Sequence, residues 1–224
     1  MNKKGVIIGV IVVAIAAGIV AGIVASVSSS PSETVNLDMG RTHGTISTAM
    51  GSPILGDTSA PITIVEFGDY QCHQCYDWFH NTKPAIVHDY IDTGKANLVF
   101  VDLAFLGSDS PKAAQASYCA EDQEMYWEYH DILYDSQEPK IDGGWANSER
   151  LKAFAFSLGL DMDLFDSCLD SGKYSKRVQY NIQQARDHGV RGTPGFFIVG
   201  PAGQEQISGA QPFSVFKQIL DTMV

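Results

Sequence analysis

Apolar and polar positions along this chain change period several times, and each change marks an element. The first stretch is uniformly apolar: Gly5 to Val27, "GVIIGVIVVAIAAGIVAGIVASV", carries no charge over 23 residues, behind Lys3 and Lys4. A bilayer core takes about 20 such residues, whereas the apolar part of a cleaved signal is about 7–15. The length predicts a single N-terminal transmembrane helix over residues 1–27. The lysines stay cytoplasmic and the remainder lies outside the cell membrane. Small residues at 24–26 leave cleavage open, and either outcome exports the rest. Residues 28–58 are rich in Ser, Gly and Thr without periodicity and read as a flexible tether.

From 59 to 224 the pattern is that of an α/β domain. "PITIVEF" (61–67) is a short β-branched run, read as a buried strand. A helix then starts at or near Cys72, is kinked or split by Pro84 and ends at Gly94. "ANLVFVDLAF" (96–105) is the next strand, and the long crossover makes the two strands parallel. Helices follow over 111–121, 123–135, 148–158, 162–170 and 173–188. Ser110 before Pro111 and Asp161 stand as caps, and Gly159 and Gly189 as stops. This block, about 109–188, reads as an inserted helical subdomain. "FFIVG" (196–200) and "EQISG" (205–209) form a hairpin. Pro212 opens a last helix with Phe213, Phe216, Ile219, Leu220 and Met223 on one stripe. The order is βαβ, helical insert, ββα.

Composition narrows the function. With 45% hydrophobic residues the chain buries a real core, and its formal net charge of −11 shows no basic face for nucleic acid. The chemistry sits in "DYQCHQCYDW" (69–78). Cys72, Cys75 and His80 have part of a zinc spacing, but no second C-x-x-C supplies a fourth ligand. As a staple, a C-x-x-C loop restrains little chain entropy. As a redox pair it is well placed, after a strand and at a helix start, where free N–H groups and partial positive charge favour a thiolate. Cys72 is then the nucleophile and Cys75 the resolving thiol. His73 either favours the thiolate or simply faces solvent. Glu66, inside the apolar strand, is either buried with a raised pKa, exchanging a proton with Cys75, or turned to a solvated strand edge.

With these features in place the chain resembles the DsbA-like thiol–disulfide oxidoreductases of the thioredoxin superfamily. The segments that carry the resemblance are 51–75, 118–134, 158–169 ("LGLDMDLFDSCL") and 189–200 ("GVRGTPGFFIVG"), in the family's order. The resemblance implies a thioredoxin fold with an all-helical insertion. It places Thr193–Pro194 at the family's cis-proline, which with Gln74 meets an incoming peptide, and Glu66 at its buried acid. His73–Gln74 departs from the Pro-His pair of the best-known members, a change that bears on the reduction potential. Cys119 and Cys168, 49 residues apart, fall where relatives often carry cysteines. An oxidising exterior favours their pairing over two separate buried thiols.

The function implied is a membrane-anchored dithiol oxidase acting on reduced exported proteins. Reoxidation falls to a quinone-linked membrane partner of the DsbB or vitamin K epoxide reductase type. No metal or organic cofactor is expected beyond the Cys72–Cys75 pair. An isomerase or reductase on the same fold, or a non-catalytic Cys/His metal-handling module, are the alternatives. No dimerisation domain stands before Pro61, which weighs against the isomerase.

Overall fold

A computed structural model describes residues 42–43 and 46–223. The expected transmembrane helix lies outside them. Among the described residues no helix is long and apolar enough to cross a membrane. Two short strands, β1 (Thr42–His43) and β2 (Ile46–Ser47), pair antiparallel. The stretch 46–58, expected as the end of a free tether, is instead docked on the domain. Ile46 is fully buried, Leu55 bridges Leu98, and the Ser52 amide donates to the Phe100 carbonyl at 2.7 Å. The Ser/Gly composition hid these few apolar anchors.

The run Ile62–Gly68 forms β3, buried along its whole length. Helix α1 (His73–Asn81) follows, with Cys72 at its N-cap. Pro84 sets the break that its fixed φ and missing N–H require: α1 stops, α2 (Lys83–Ile86) restarts with the proline in its first turn, and a π-helical turn over Val87–Ile91 completes the crossover. Gly94, at φ 71°, lets the chain turn back into β4 (Ala96–Asp102). β4 runs parallel to β3, with Glu66 opposite Phe100. The strand ends three residues earlier than its apolar pattern suggests. The Asp69 carboxylate takes the Phe105 and Leu106 amides, both at 2.9 Å, and draws the chain out of the sheet.

Five helices come next: α3 (Ser110–Glu121), α4 (Tyr126–Asp135), α5 (Ser148–Ser157), α6 (Met162–Ser171) and α7 (Ser175–Asp187). Asp161 caps α6 through the Asp163 and Leu164 amides, and Gly159 and Gly189 have the positive φ of helix stops. Ser110 does not cap α3. It is the helix's first residue, and its hydroxyl donates to the Asp69 carboxylate at 2.6 Å. Glu124, at φ 62°, delays α4 to Tyr126. Strands β5 (Gly195–Gly200) and β6 (Gly203–Ser208) form the hairpin, and α8 (Phe213–Met223) closes the chain.

The sheet order is β4-β3-β5-β6, with β5 antiparallel to β3. Side chains alternate across β3, so it feeds two cores. Ile62 and Ile64 pack with Trp78, Phe196, Phe216 and Leu220 on the α1/α8 face, and Val65 and Phe67 with Val99, Ala185 and Phe197 on the α7 face. The helical block has its own core around Tyr129, Leu133, Leu151 and Phe165. Cys119 and Cys168 are joined there as a disulfide, tying α3 to α6.

Candidate active site

The strand β3 delivers the chain to Asp69, and α1 begins at His73. Between them "DYQ" is held rigidly. Asp69 accepts the Gln71 amide at 2.8 Å, and its carbonyl accepts the Cys72 amide at 2.9 Å. The Gln71 side chain exchanges hydrogen bonds with Asp142, at 3.0 Å to the carboxylate and 2.7 Å from the amide, and Gln137 reaches the Tyr70 and Cys72 carbonyls. Cys72 is thereby fixed at the N-terminus of α1.

Cys72 and Cys75 are free thiols, Cys72 7% exposed and Cys75 fully buried. Their acidities separate. The Cys72 pKa is lowered to about 6, chiefly by the Cys75 thiol hydrogen bond, with help from Thr193 and the Cys75 and Gln74 amides, against the cost of burial. Burial pushes Cys75 well above the ordinary thiol range, and the neighbouring Cys72 and Glu66 charges push it further. One thiol is therefore ionised at neutral pH and the other is not.

Thr193 comes from the far end of the chain. Its bond to Pro194 is cis, and the Cys72 thiol donates to its carbonyl oxygen at 3.2 Å. The Thr193 hydroxyl is buried without a hydrogen-bond partner among the described residues. Gln74, Arg191, Thr193, Pro194, Gln206 and Ser208 are among the residues lining a recess of about 390 Å³ beside the cysteines.

Glu66 is 1% exposed, so the solvated strand edge is ruled out as its place. Neither carboxylate oxygen has a hydrogen-bond partner among the described residues. Burial raises its pKa to about 8, the Lys83 ammonium opposing and the Cys72 charge adding to the rise. The His73 side chain is 66% exposed, and its nearest ionic partner is Asp77 at 4.0 Å. It faces solvent, and the groups that acidify Cys72 do so without it. Cys72, Cys75 and His80 are not gathered as ligands: among the described residues no group of three or more His, Cys, Asp or Glu is placed to hold a metal. The His80 ring packs tilted against Tyr76, with centroids 4.2 Å apart, and lies 3.8 Å from Asp135.

A family model described as thioredoxin matches residues 48–222. The chain belongs to that family. It is 31% identical to the probable disulfide bond formation protein D of Bacillus anthracis over 150 residues, 65% of this chain and 69% of the relative. Among solved structures, oxidised BdbD from Bacillus subtilis superposes with a TM-score of 0.72 at 26% identity, covering 81% of this chain and 97% of that one. The α-DsbA1 of Wolbachia pipientis gives 0.66 at 26%, covering 76% and 89%. The chain is a DsbA-like thioredoxin-superfamily protein and a protein thiol–disulfide oxidoreductase.

Several residues of this DsbA-like site carried no signal in the sequence. Lys83 looks like any helix-surface lysine, yet it is 7% exposed. Its ammonium lies 4.3 Å from the centre of the Phe79 ring and 3.0 Å from Asp131. His130 is buried among aromatics and receives or gives a hydrogen bond to Tyr70 at 3.0 Å. Burial, with the Lys83 charge, drives its pKa far down and keeps it neutral. In the sequence Asp69 stands only as a flank of the C-x-x-C. A carboxylate immediately after a buried strand is the one signal that would have singled it out.

Proposed function

We propose that this DsbA-like protein is a dithiol oxidase that passes the Cys72–Cys75 disulfide to reduced exported proteins. The observation that carries the reading is the split in acidity between Cys72 and Cys75. A dithiol form stabilised by an ionised Cys72 makes the disulfide the more oxidising partner.

A substrate thiolate attacks the Cys72 sulfur, the intramolecular disulfide breaks, and Cys75 leaves with the electron pair. The Glu66 carboxylic acid, neutral below about pH 8, supplies the proton that this buried sulfur requires. The substrate's second thiolate then attacks its own sulfur in the mixed disulfide. Cys72 departs as a thiolate, a good leaving group because its pKa is low. The Thr193 hydroxyl and the α1 amides hold that charge. Thr193, Pro194 and Gln74 present the peptide-binding face. His73, exposed beside Cys72, faces the approaching substrate.

Two electrons and two protons have left the substrate, so the enzyme must be reoxidised. The proposed acceptor is a quinone-linked membrane partner of the DsbB or vitamin K epoxide reductase type. In this reading residues 5–27 anchor the protein as a single pass in the cell membrane, with the catalytic domain outside, and no further cofactor takes part.

The test is turnover in both directions. Oxidised full-length protein, mixed with a reduced, unfolded multi-cysteine protein, is expected to form disulfides in it stoichiometrically and to lose this ability on Cys72→Ser. Rapid dithiothreitol-driven insulin reduction together with negligible oxidation would make it a reductase instead.

A further inference from the structure

A second recess shares Val190 and Arg191 with the first and has a chemistry of its own. Leu103 and Phe105 line it from the end of β4, and Arg186, Val190 and Arg191 line it from the end of α7, around about 330 Å³. Phe105 is 45% exposed. The chain carries a net charge of −11, yet neither arginine makes an ion pair among the described residues. Arg177, by contrast, is paired with Glu121 at 2.9 Å. Asp187, next to Arg186, is held by Gln183 at 2.8 Å.

Both walls are fixed to the redox pair. The Phe105 and Leu106 amides donate to the Asp69 carboxylate, and the Asp69 carbonyl accepts the Cys72 amide. The opposite wall, Val190–Arg191, runs directly into Thr193, whose carbonyl meets the Cys72 sulfur. Val190 and Arg191 also line the recess that holds Gln74, Thr193 and Pro194. Val190 and Arg191 thus connect the Thr193–Pro194 segment to the arginine-lined recess.

We infer that Arg186 and Arg191 form a subsite for a carboxylate of the substrate polypeptide, with Phe105 taking an apolar side chain beside it. The inference rests on the oxidoreductase reading and names the substrate class. It is reduced polypeptides with an Asp or Glu next to a hydrophobic residue, close to the reacting cysteine. The rest of the acidic surface repels such segments, so the two arginines act as a local selector. Arg186 also lies in the last turn of α7, where a cation offsets the helix dipole. That role does not depend on peptide charge, so the test reads a ratio.

Dithiol peptides identical except for Glu, Gln or Lys beside a leucine near one cysteine are reacted with the oxidised full-length protein. The rate ratio of the Glu to the Gln peptide is expected to be about tenfold, the sum of two exposed ion pairs. It is expected to fall to near one in 0.5 M salt and in Arg186→Gln/Arg191→Gln. Serine versions of the peptides, carrying a fluorophore, are expected to show the same ratio in binding alone. Equal rates and equal binding for the three peptides on the wild-type protein would overturn the subsite, as would a Glu preference that survives the double substitution. If the double variant does not fold, the wild-type charge series and its salt dependence decide. Failure of the Cys72–Cys75 disulfide to react with any dithiol, while the Glu preference in binding persists, would overturn the oxidase reading and leave the subsite standing.

Discussion

The Cys72 thiol donates a hydrogen bond to the Thr193 carbonyl oxygen at 3.2 Å, bridging 121 positions of the chain. The contact brings the start of α1 against the cis Thr193–Pro194 segment, so one residue both borders the recess and touches Cys72. Beside it stands the Thr193 hydroxyl, buried and free to donate to the thiolate.

Thr193→Val keeps the backbone carbonyl and removes that hydroxyl. The Cys72 pKa is expected to rise from about 6 by roughly one unit, the loss of one hydrogen bond to the charged form. Ultraviolet thiolate absorbance against pH reads the midpoint, and an unchanged midpoint would remove the hydroxyl from the account.

Glu66 gives a pH dependence of stability with a definite sign. Its folded pKa is raised from 4.5 to about 8. The folded state therefore binds this proton more tightly than the unfolded chain, and the stabilisation is complete below about pH 4.5 and lost as pH climbs through about 8. Urea midpoints of the oxidised protein, in which Cys72 and Cys75 do not titrate and the Cys72 charge no longer adds to the Glu66 rise, are expected to fall between about pH 4.5 and about pH 8. Glu66→Gln should flatten that fall and slow the departure of Cys75 in the peptide reaction. A wild-type midpoint that is level across this range would show Glu66 to be solvated.

Lys83 acts on Glu66 in the opposite sense. Lys83→Met removes the one cation that lowers the Glu66 pKa, so the midpoint of the same pH-dependent loss should move upward. Lys83→Arg should restore it. No movement in either variant would mean that solvent screens the pair.

The Cys119–Cys168 bridge closes a loop of 49 residues. In the chain-entropy description such a loop stabilises the fold by about 4 kcal/mol. Cys119→Ala/Cys168→Ala is expected to lower unfolding stability by roughly that amount and to leave the Cys72 thiolate midpoint unchanged. Intact mass after alkylation of the non-reduced Cys72→Ser/Cys75→Ser protein should show no free thiol.

The strand–helix–strand frame and the final hairpin and helix were legible because their signals are local. They are the β-branched run before "QCHQC", Pro84, Gly94, and the stripe Phe213–Met223. The site was legible only in part. Cys72 and Cys75 are marked by spacing and Glu66 by standing in an apolar strand. His73 draws attention by adjacency, yet its side chain turns to solvent. Lys83, Asp69 and His130 take their importance from burial and from partners far along the chain, which no local period records. The docked segment 46–58 was missed for the same reason: its anchors Ile46 and Leu55 fall in a stretch without hydrophobic periodicity, and only β4 and the α7-side core give them a place.

The central claim is that the Cys72–Cys75 disulfide is oxidising, and its reduction potential tests that most directly. Equilibration of the full-length protein with glutathione buffers, followed by quenching and alkylation, gives the value. An acidic Cys72 that stabilises the dithiol form predicts a potential nearer the about −120 mV of DsbA than the about −270 mV of thioredoxin. A value at or below the latter would contradict the oxidase account and make this protein a donor of electrons.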